Sequence, residues 1–438
     1  MFWKLASRLS LAAGIAGATL APAGAQTAKE QFIPITLYRT GPMGSFGTPP
    51  MVAYMDYMAM LNERDGGING VKLVWEECET AYQPDRMVEC YERLKGRGAT
   101  VWNPYGTGLA YAVLEKSQAD KIPLIMLGNG RTDAADGRYF PYAFPLVTNF
   151  WSQATAMVKY IGERQGGMDK LKGLKIVDLY HDSPYGKETI GVYDRLAKTY
   201  GFEVKHMPVP SPGIDQKSVW LQIRQYAPDW IVMQGAGLMT QTAIKEAAAI
   251  GFPRDRLVGN YWSGAEEDTV PAGAAAKNYI SAAMNGSGTD FPVIQDILKY
   301  VYDRGKGSGE RRDVGTTRYN RGVVIGLITM EAIRVAQAKF GEGKPITGEQ
   351  MQWGLEHLNF TPERIAQLGA TGLLPPFSTS CLDHEGGAPI RFQQWDGQKW
   401  VSVSDWVATD QKMVRPLIEA SAAAYGKEKG ISPRSCDN

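Results

Sequence analysis

One pattern occurs twice between residues 33 and 130: an apolar strand, a glycine-rich loop, then an amphipathic helix. Ile33-Pro34-Ile35-Thr36-Leu37 runs into Gly41-Pro42-Met43-Gly44-Ser45-Phe46-Gly47. Met51, Tyr54, Met55, Met58 and Leu61 follow at the spacing of one buried helix face. Gly66-Gly67-Ile68-Asn69-Gly70 then turns the chain into Val71, Leu73 and Trp75, an alternating strand. Strands that alternate with helices imply a mostly parallel sheet, and such sheets bind small molecules at the carboxyl ends of their strands. Function is therefore expected in the loops after strands.

Lys4 and Arg8 precede an apolar stretch, Leu9 to Leu20, too short to span a bilayer. Ala23-Gly24-Ala25 fits a small-x-small cleavage site before Gln26, so residues 1–25 read as a secretory signal peptide. An uncleaved anchor is the alternative. No cysteine follows the apolar run, so no lipid anchor is expected, and no later stretch is long and apolar enough to cross a membrane. These features predict a soluble exported protein.

The 438 residues carry a formal net charge of +1, and cleavage of the leader removes Lys4 and Arg8. That balance gives no electrostatic footprint for nucleic acid or an anionic membrane. Cys78, Cys90, Cys381 and Cys436 allow three pairings, and an oxidising compartment favours disulfides. Cys78 closes the Trp75 strand and Cys90 lies in the next helix; Cys78–Cys90 with Cys381–Cys436 is preferred, the other pairings staying open. No CxxC is present and His181, His206, His357 and His384 are scattered, so no metal site is expected. Gly41, Gly44 and Gly47 do not match GxGxxG, no P-loop occurs, and no cofactor is expected.

The alternation continues. Thr100-Val101-Trp102-Asn103 leads into Pro104-Tyr105-Gly106-Thr107-Gly108, and Ile122 to Leu127 leads into Gly128-Asn129-Gly130-Arg131-Thr132. Tyr139 to Asn149, rich in proline and aromatics, favours an extended crossover. A second series follows: Leu174–Tyr180 before His181-Asp182-Ser183-Pro184-Tyr185-Gly186, Trp230–Met233 before Gln234-Gly235-Ala236-Gly237, and Leu257–Gly259 before Asn260-Tyr261-Trp262-Ser263. Two successive α/β series predict two similar lobes with a cleft between them.

The chain resembles the leucine/isoleucine/valine-binding family of periplasmic solute-binding proteins, over about residues 30–340. The matching segments are Thr40-Gly41-Pro42 with Phe46-Gly47, Gly66-Gly67-Ile68-Asn69-Gly70, His181-Asp182 with Pro184-Tyr185-Gly186, and Ala227-Pro228-Asp229 before the Trp230 strand. The resemblance implies a type I periplasmic binding fold: two Rossmann-like α/β lobes with parallel sheets, joined by three crossovers. Lobe one would take residues 30–146 and 282–370; lobe two would take 147–281 and 371–410. Within the latter, Arg391–Trp395 and Trp400–Val403, turned by Asp396-Gly397, read as a hairpin. The stretch from Leu373 to Asn438, with Cys381 and Cys436, is longer than the family pattern, and residues 411–438 of it form a C-terminal tail.

The resemblance further implies a monomer that closes on a small carboxylate and docks on an ABC permease in the inner membrane, without chemistry. Its ligand contacts carry over to Tyr105, Gly106 and Thr107 after the third strand and to Gly128, Asn129 and Gly130, with Arg131 adjacent, after the fourth. Helix N-termini there suit an anion. Lobe two would add Tyr185, the Gln234–Ala236 loop and the Asn260–Trp262 loop. One departure stands out. The family's amino-acid binders carry a carboxylate for the ligand ammonium where this chain has Tyr261; Glu266, Glu267 and Asp268 come later. Phe46, Tyr105, Tyr185, Tyr261 and Trp262 instead predict an aromatic-lined cleft, suited to an aromatic or other non-amino carboxylate.

The alternatives are a branched-chain amino-acid binder, a sensory binding protein and, remotely, an exported hydrolase. Against the last, no GxSxG elbow occurs and sequence neighbours such as His181-Asp182-Ser183 seldom form a triad. Tyr185 and Trp262 as interlobe packing, and Arg131 as a surface ion pair, are the structural alternatives at those positions.

Overall fold

A computed structural model describes residues 29–41 and 43–436. The leader, its cleavage motif and Pro42 lie outside the described residues. Among the described residues, no helix is long and apolar enough to cross a membrane.

The first α/β body opens with β1 (Glu30–Leu37), buried over all but its first residue, as expected of a strand covered on both faces. Helix α1 (Gly44–Asp65) starts seven residues ahead of the Met51 stripe, so the second half of the glycine-rich loop is helical rather than loop. The reason is close approach: a Cβ on Gly47 would collide with the Tyr38 ring, so glycine lets the first turn lie flat on the strand end. Strand β2 (Lys72–Glu79) runs parallel to β1 with Trp75 opposite Ile33. Helices α2 (Pro84–Lys95) and α3 (Thr107–Asp120) follow, then β3 (Leu124–Ile125) and β4 (Ala143–Phe144), which are also parallel. The strand expected at residues 100–103 is reduced to a single bridge between Trp102 and Leu124. Side chains hold this segment against β1 instead: Gln31 donates to Thr100 (2.9 Å) and Thr36 to the Asn103 carbonyl (2.9 Å).

The second body begins with α4 (Phe150–Gln165), whose first turn is capped by the Asn149 side chain. It continues through β5 (Lys175–His181), α5 (Pro184–Lys187), α6 (Ile190–Tyr200), β6 (Glu203–Val209), α7 (Lys217–Tyr226), β7 (Trp230–Gln234), α8 (Leu238–Ala249), β8 (Leu257–Gly259), α9 (Glu266–Thr269) and β9 (Ile280–Ala283). The chain then returns to the first body with α10 (Pro292–Tyr300) and the long buried α11 (Thr317–Phe340), which packs along α1. Helix α12 (Gly348–Glu356), β10 (Asn359–Phe360), α13 (Pro362–Gln367) and β11 (Phe377–Ser378) complete that return. Strands β12 (Arg391–Trp395) and β13 (Trp400–Ser402) form an antiparallel hairpin on the second sheet, whose order is β13-β12-β9-β8-β7-β5-β6. All neighbours from β6 to β9 are parallel; β12 runs antiparallel to β9. The result is a mixed α/β chain with a mostly parallel main sheet.

Helix α14 (Gln411–Lys429) ties the two bodies together. At its start the Asp410 amide donates to Thr155 of α4 (2.9 Å); farther along, Ser421 donates to Asp133 (2.8 Å). The disulfides are Cys78–Cys90 and Cys381–Cys436, the second fastening the tail.

His206 on the edge strand β6 lies between two carboxylates, Asp178 at 2.9 Å and Asp194 at 3.0 Å. The hydrogen bond with Asp178, despite the opposing effect of burial, raises the imidazole to about 9. Because the folded value lies above the ordinary one, the stabilisation is complete below about pH 6.5 and is lost as pH rises through the folded value. The melting temperature of His206→Gln is expected to fall short of the native protein's near pH 6. That gap should close by about pH 10. A gap unchanged across this range would show that the imidazolium contributes nothing.

Candidate ligand-binding cleft

Loops at the carboxyl ends of strands from both bodies meet around a narrow cavity of about 20 Å³. From the first body Phe46, Gly106, Thr107 and Asn129 reach it, and from the second Tyr185, Ala236 and Trp262. Met43 and Tyr82 also line it and were not singled out from sequence. Both lie in loops flanking predicted elements, and Tyr82 sits at φ 59°, a backbone state that sequence does not announce for tyrosine. None of these nine residues carries a formal charge.

Aromatic rings form one wall. Phe46 stacks on Trp262 with centroids 5.3 Å apart; Tyr105, expected at the cleft, instead lies buried off the cavity surface and meets Trp262 edge-on at 5.1 Å. On the other side the Tyr185 hydroxyl donates to the Gly235 carbonyl (2.8 Å) and accepts from Asn260 (2.7 Å). Asn260 also donates to the Gln234 side chain (2.8 Å), so Gln234 acts through Asn260 rather than lining the cavity.

The Asn260–Trp262 turn is pinned to the first body. The Trp262 indole N–H donates to the Gly128 carbonyl (2.8 Å), and the Tyr261 hydroxyl donates to the Leu127 carbonyl. Tyr261 is fully buried behind Trp262 and is not at the cavity surface. Gly128 makes the contact possible: at φ +60° a Cβ there would stand 2.6 Å from Tyr261 Cε1. Gly130 does not line the cavity and donates its N–H to the hydroxyl of Thr107, which does (3.3 Å).

The structure does not bring Arg131 to the cleft. Asp133, two residues on, takes its guanidinium in a two-pronged ion pair (2.6 and 2.8 Å), and Tyr425 of α14 covers it at 4.3 Å. A local carboxylate and an aromatic face satisfy the cation where it stands.

Behind the aromatic wall lie two arginines of α11 that sequence reasoning passed over. Arg318 and Arg321 are each 1 % exposed. Arg318 stands 4.1 Å from the Phe46 ring centroid and pairs with Asp268 (2.6 Å) and, more loosely, Glu267 (3.5 Å). Glu266 accepts from the Thr317 amide (2.9 Å). The three acids that follow the Tyr261 turn are thus directed at α11, and none lines the cavity. Burial pushes the Glu267 carboxyl up to about 7 against the opposing Arg318 charge. Arg321 donates to the Tyr261 carbonyl (2.8 Å) and lies 4.5 Å from the Tyr261 ring centroid and 5.0 Å from that of Trp262. Burial raises the Tyr105 phenol, with the Arg321 and Arg318 charges opposing.

Residues 30–399 match the family model described as periplasmic binding protein. A Leu/Ile/Val-binding protein homolog 8 of Brucella abortus (strain 2308) is 24% identical over 267 residues, covering 58% of this chain and 65% of that protein. The chain therefore spans slightly less than two thirds of this curated relative. Among solved structures, a chain from the Pseudomonas fluorescens group described as an ABC transporter permease superposes with TM-score 0.89 at 46% identity, over 93% of this chain and 100% of that one. A branched-chain amino acid ABC transporter protein from Thermus thermophilus with bound valine superposes with TM-score 0.74 at 21% identity, over 88% and 99%.

Proposed function

The chain belongs to the periplasmic binding protein family, and from that premise we propose that it captures a flat, non-amino carboxylate, with an aromatic acid as the favoured class. Capture is by closure of the two bodies, in the periplasm, and the loaded form is presented to an ABC permease in the inner membrane. Capture without turnover is the proposed activity.

The observation that carries this reading is the lining of the cavity: aromatic and uncharged, with Glu267 and Asp268 turned away onto Arg318. An α-amino acid would bring an ammonium into a space whose walls offer no carboxylate. Leaving that charge unpaired costs several kcal/mol, on the order of what such a small ligand gains by burial. A flat ring instead meets Phe46, Trp262 and Tyr185. Its carboxylate would face the Tyr105–Thr107 loop that opens α3, where amides and the helix dipole favour an anion. The cavity leaves room for no more than a water or two as the bodies stand, so entry requires them to part. Family closure about the crossovers supplies that motion.

The test is a thermal-shift panel followed by calorimetry, with benzoate and substituted aromatic acids against L-leucine and L-valine. An aromatic acid is expected to stabilise the protein by about 2.7 kcal/mol at a hundredfold excess over its Kd. Stabilisation by leucine or valine with none by any aromatic acid would overturn the reading.

A further inference from the structure

The cavity wall is uncharged, yet a cation with no direct ion pair among the described residues stands behind it. Among the described residues, no carboxylate lies within ion-pair distance of Arg321, and its Nη1 has no hydrogen-bond partner. The Tyr105 hydroxyl, in a side chain 2 % exposed, has this guanidinium as its hydrogen-bonding neighbour. The two groups are neighbours: both pack on the Trp262 ring, Arg321 at 5.0 Å and Tyr105 edge-on at 5.1 Å.

The partners that Arg321 does have are informative. Its Nε reaches the Asn285 carboxamide at 3.4 Å, Nη2 donates to the Tyr261 carbonyl, and its planar face is covered by the Tyr261 and Trp262 rings. Tyr261 and Trp262 belong to the second body. Arg321 on α11 and Tyr105 before α3 belong to the first. When the bodies part, the Trp262 bond to Gly128 and the Tyr261 bonds to Leu127 and Arg321 break together. The first body is then left with a guanidinium and a phenol facing the cleft.

We propose that Arg321, with the Tyr105 phenol, receives the ligand's carboxylate on the open first body and so makes this cleft select anions. This rests on the reading of the ligand as a carboxylate, and it assigns the charge to a named pair of donors. Arg318 cannot serve, because Asp268 and Glu267 already hold it. Closure brings Trp262 back over the bound ring. In the empty protein the same indole and Tyr261 cover the cation instead, as stand-ins that satisfy its face and leave Nη1 unfilled.

The test compares an acid with its own amide. Calorimetry with benzoate and benzamide, or the corresponding pair for whichever acid of the panel binds best, is run on the native protein, Arg321→Gln and Tyr105→Phe. The native protein is expected to prefer the acid by about tenfold or more. In Arg321→Gln that preference should collapse by about 10–100-fold while the amide's affinity changes little. Tyr105→Phe removes one oxygen whose polar neighbour in the empty protein is Arg321 and leaves the ring in place, so it should fold normally and weaken the acid alone by several-fold; it carries the test if Arg321→Gln does not fold. A native preference for the acid that survives both substitutions overturns this inference and leaves the ligand reading intact. Equal weakening of acid and amide also overturns it, because Arg321 would then only steady the wall. A native protein that prefers the amide overturns the ligand reading, and this inference with it.

Discussion

Replacing Gly128 with valine is expected to weaken ligand capture by about a hundredfold while leaving both α/β bodies folded. Two effects act at this position. The first is local: at φ +60° a β-branched residue is strained by about 1–2 kcal/mol whether the cleft is open or closed. The second acts only on the closed form, where the new Cβ would press on the Tyr261 ring, with Cζ at 2.7 Å. That ring must approach for the Tyr261 hydroxyl to reach the Leu127 carbonyl and for the Trp262 indole to reach the Gly128 carbonyl. Parting the bodies relieves the clash, so its cost falls on closure. About 3 kcal/mol of bias lowers the closed population, and with it the apparent affinity, by about a hundredfold. Small-angle scattering should show a larger radius of gyration that added ligand no longer reduces. The double variant Gly128→Val with Tyr261→Ala removes the obstructing ring and should recover part of the closure. Wild-type affinity in Gly128→Val would rule out the Tyr261 contact as part of the closed state.

Much of the fold could be read from the residues because its signals are local. The β1 run, the helix face from Met51 to Leu61, the β5 and β7 runs and the Arg391–Trp400 hairpin each express their period within a few residues. Signals that depend on distant partners were weaker. Residues 100–103 have strand composition but are held by Gln31 and Thr36 side chains, so the ladder shrinks to one bridge. Gly44 and Gly47 look like loop residues, so α1 starts earlier than its sequence suggests; the Arg39 carbonyl against Gly44 and the Tyr38 ring against Gly47 explain why glycine is needed inside a helix. The cleft loops after strands could be located for the same topological reason that parallel sheets bind there.

Side-chain roles within those loops were harder to read. Arg131 has the sequence context of a ligand contact, yet Asp133 and Tyr425 capture it. Arg318 and Arg321 give the reverse case. They occupy the first turns of a helix that is buried on nearly every side, and an arginine there is written no differently from one facing solvent. The only sequence hint was the acidic run Glu266-Glu267-Asp268, which needed a cation from elsewhere in the chain.

That acidic run leads to the second large effect. Arg318→Met is expected to destabilise the protein by about 3–5 kcal/mol near pH 8, as when one partner of a buried ion pair is removed. Asp268 is fully buried, and Arg318 is its ion-pair partner. Glu267, held near 7 by burial even with Arg318 present, loses the same counter-ion. Methionine fills much of the arginine's volume and can still pack on Phe46, so the loss reports charge rather than a cavity. The pH dependence follows from the direction of the shifts. Burial raises both acids above their ordinary values, so the folded protein holds protons that the unfolded chain releases. Stability against unfolding therefore increases as pH falls from about 7 toward 4.5, and this gain is larger without Arg318. Urea unfolding followed by tryptophan fluorescence should show the deficit of Arg318→Met at its fullest near pH 8 and shrinking toward pH 5. The triple variant Arg318→Met, Glu267→Gln, Asp268→Asn carries no uncompensated charge and should regain most of the loss at both values. A deficit that is independent of pH, or one that the triple variant does not repair, would mean that Arg318 supports the interlobe contact through packing and not through its charge.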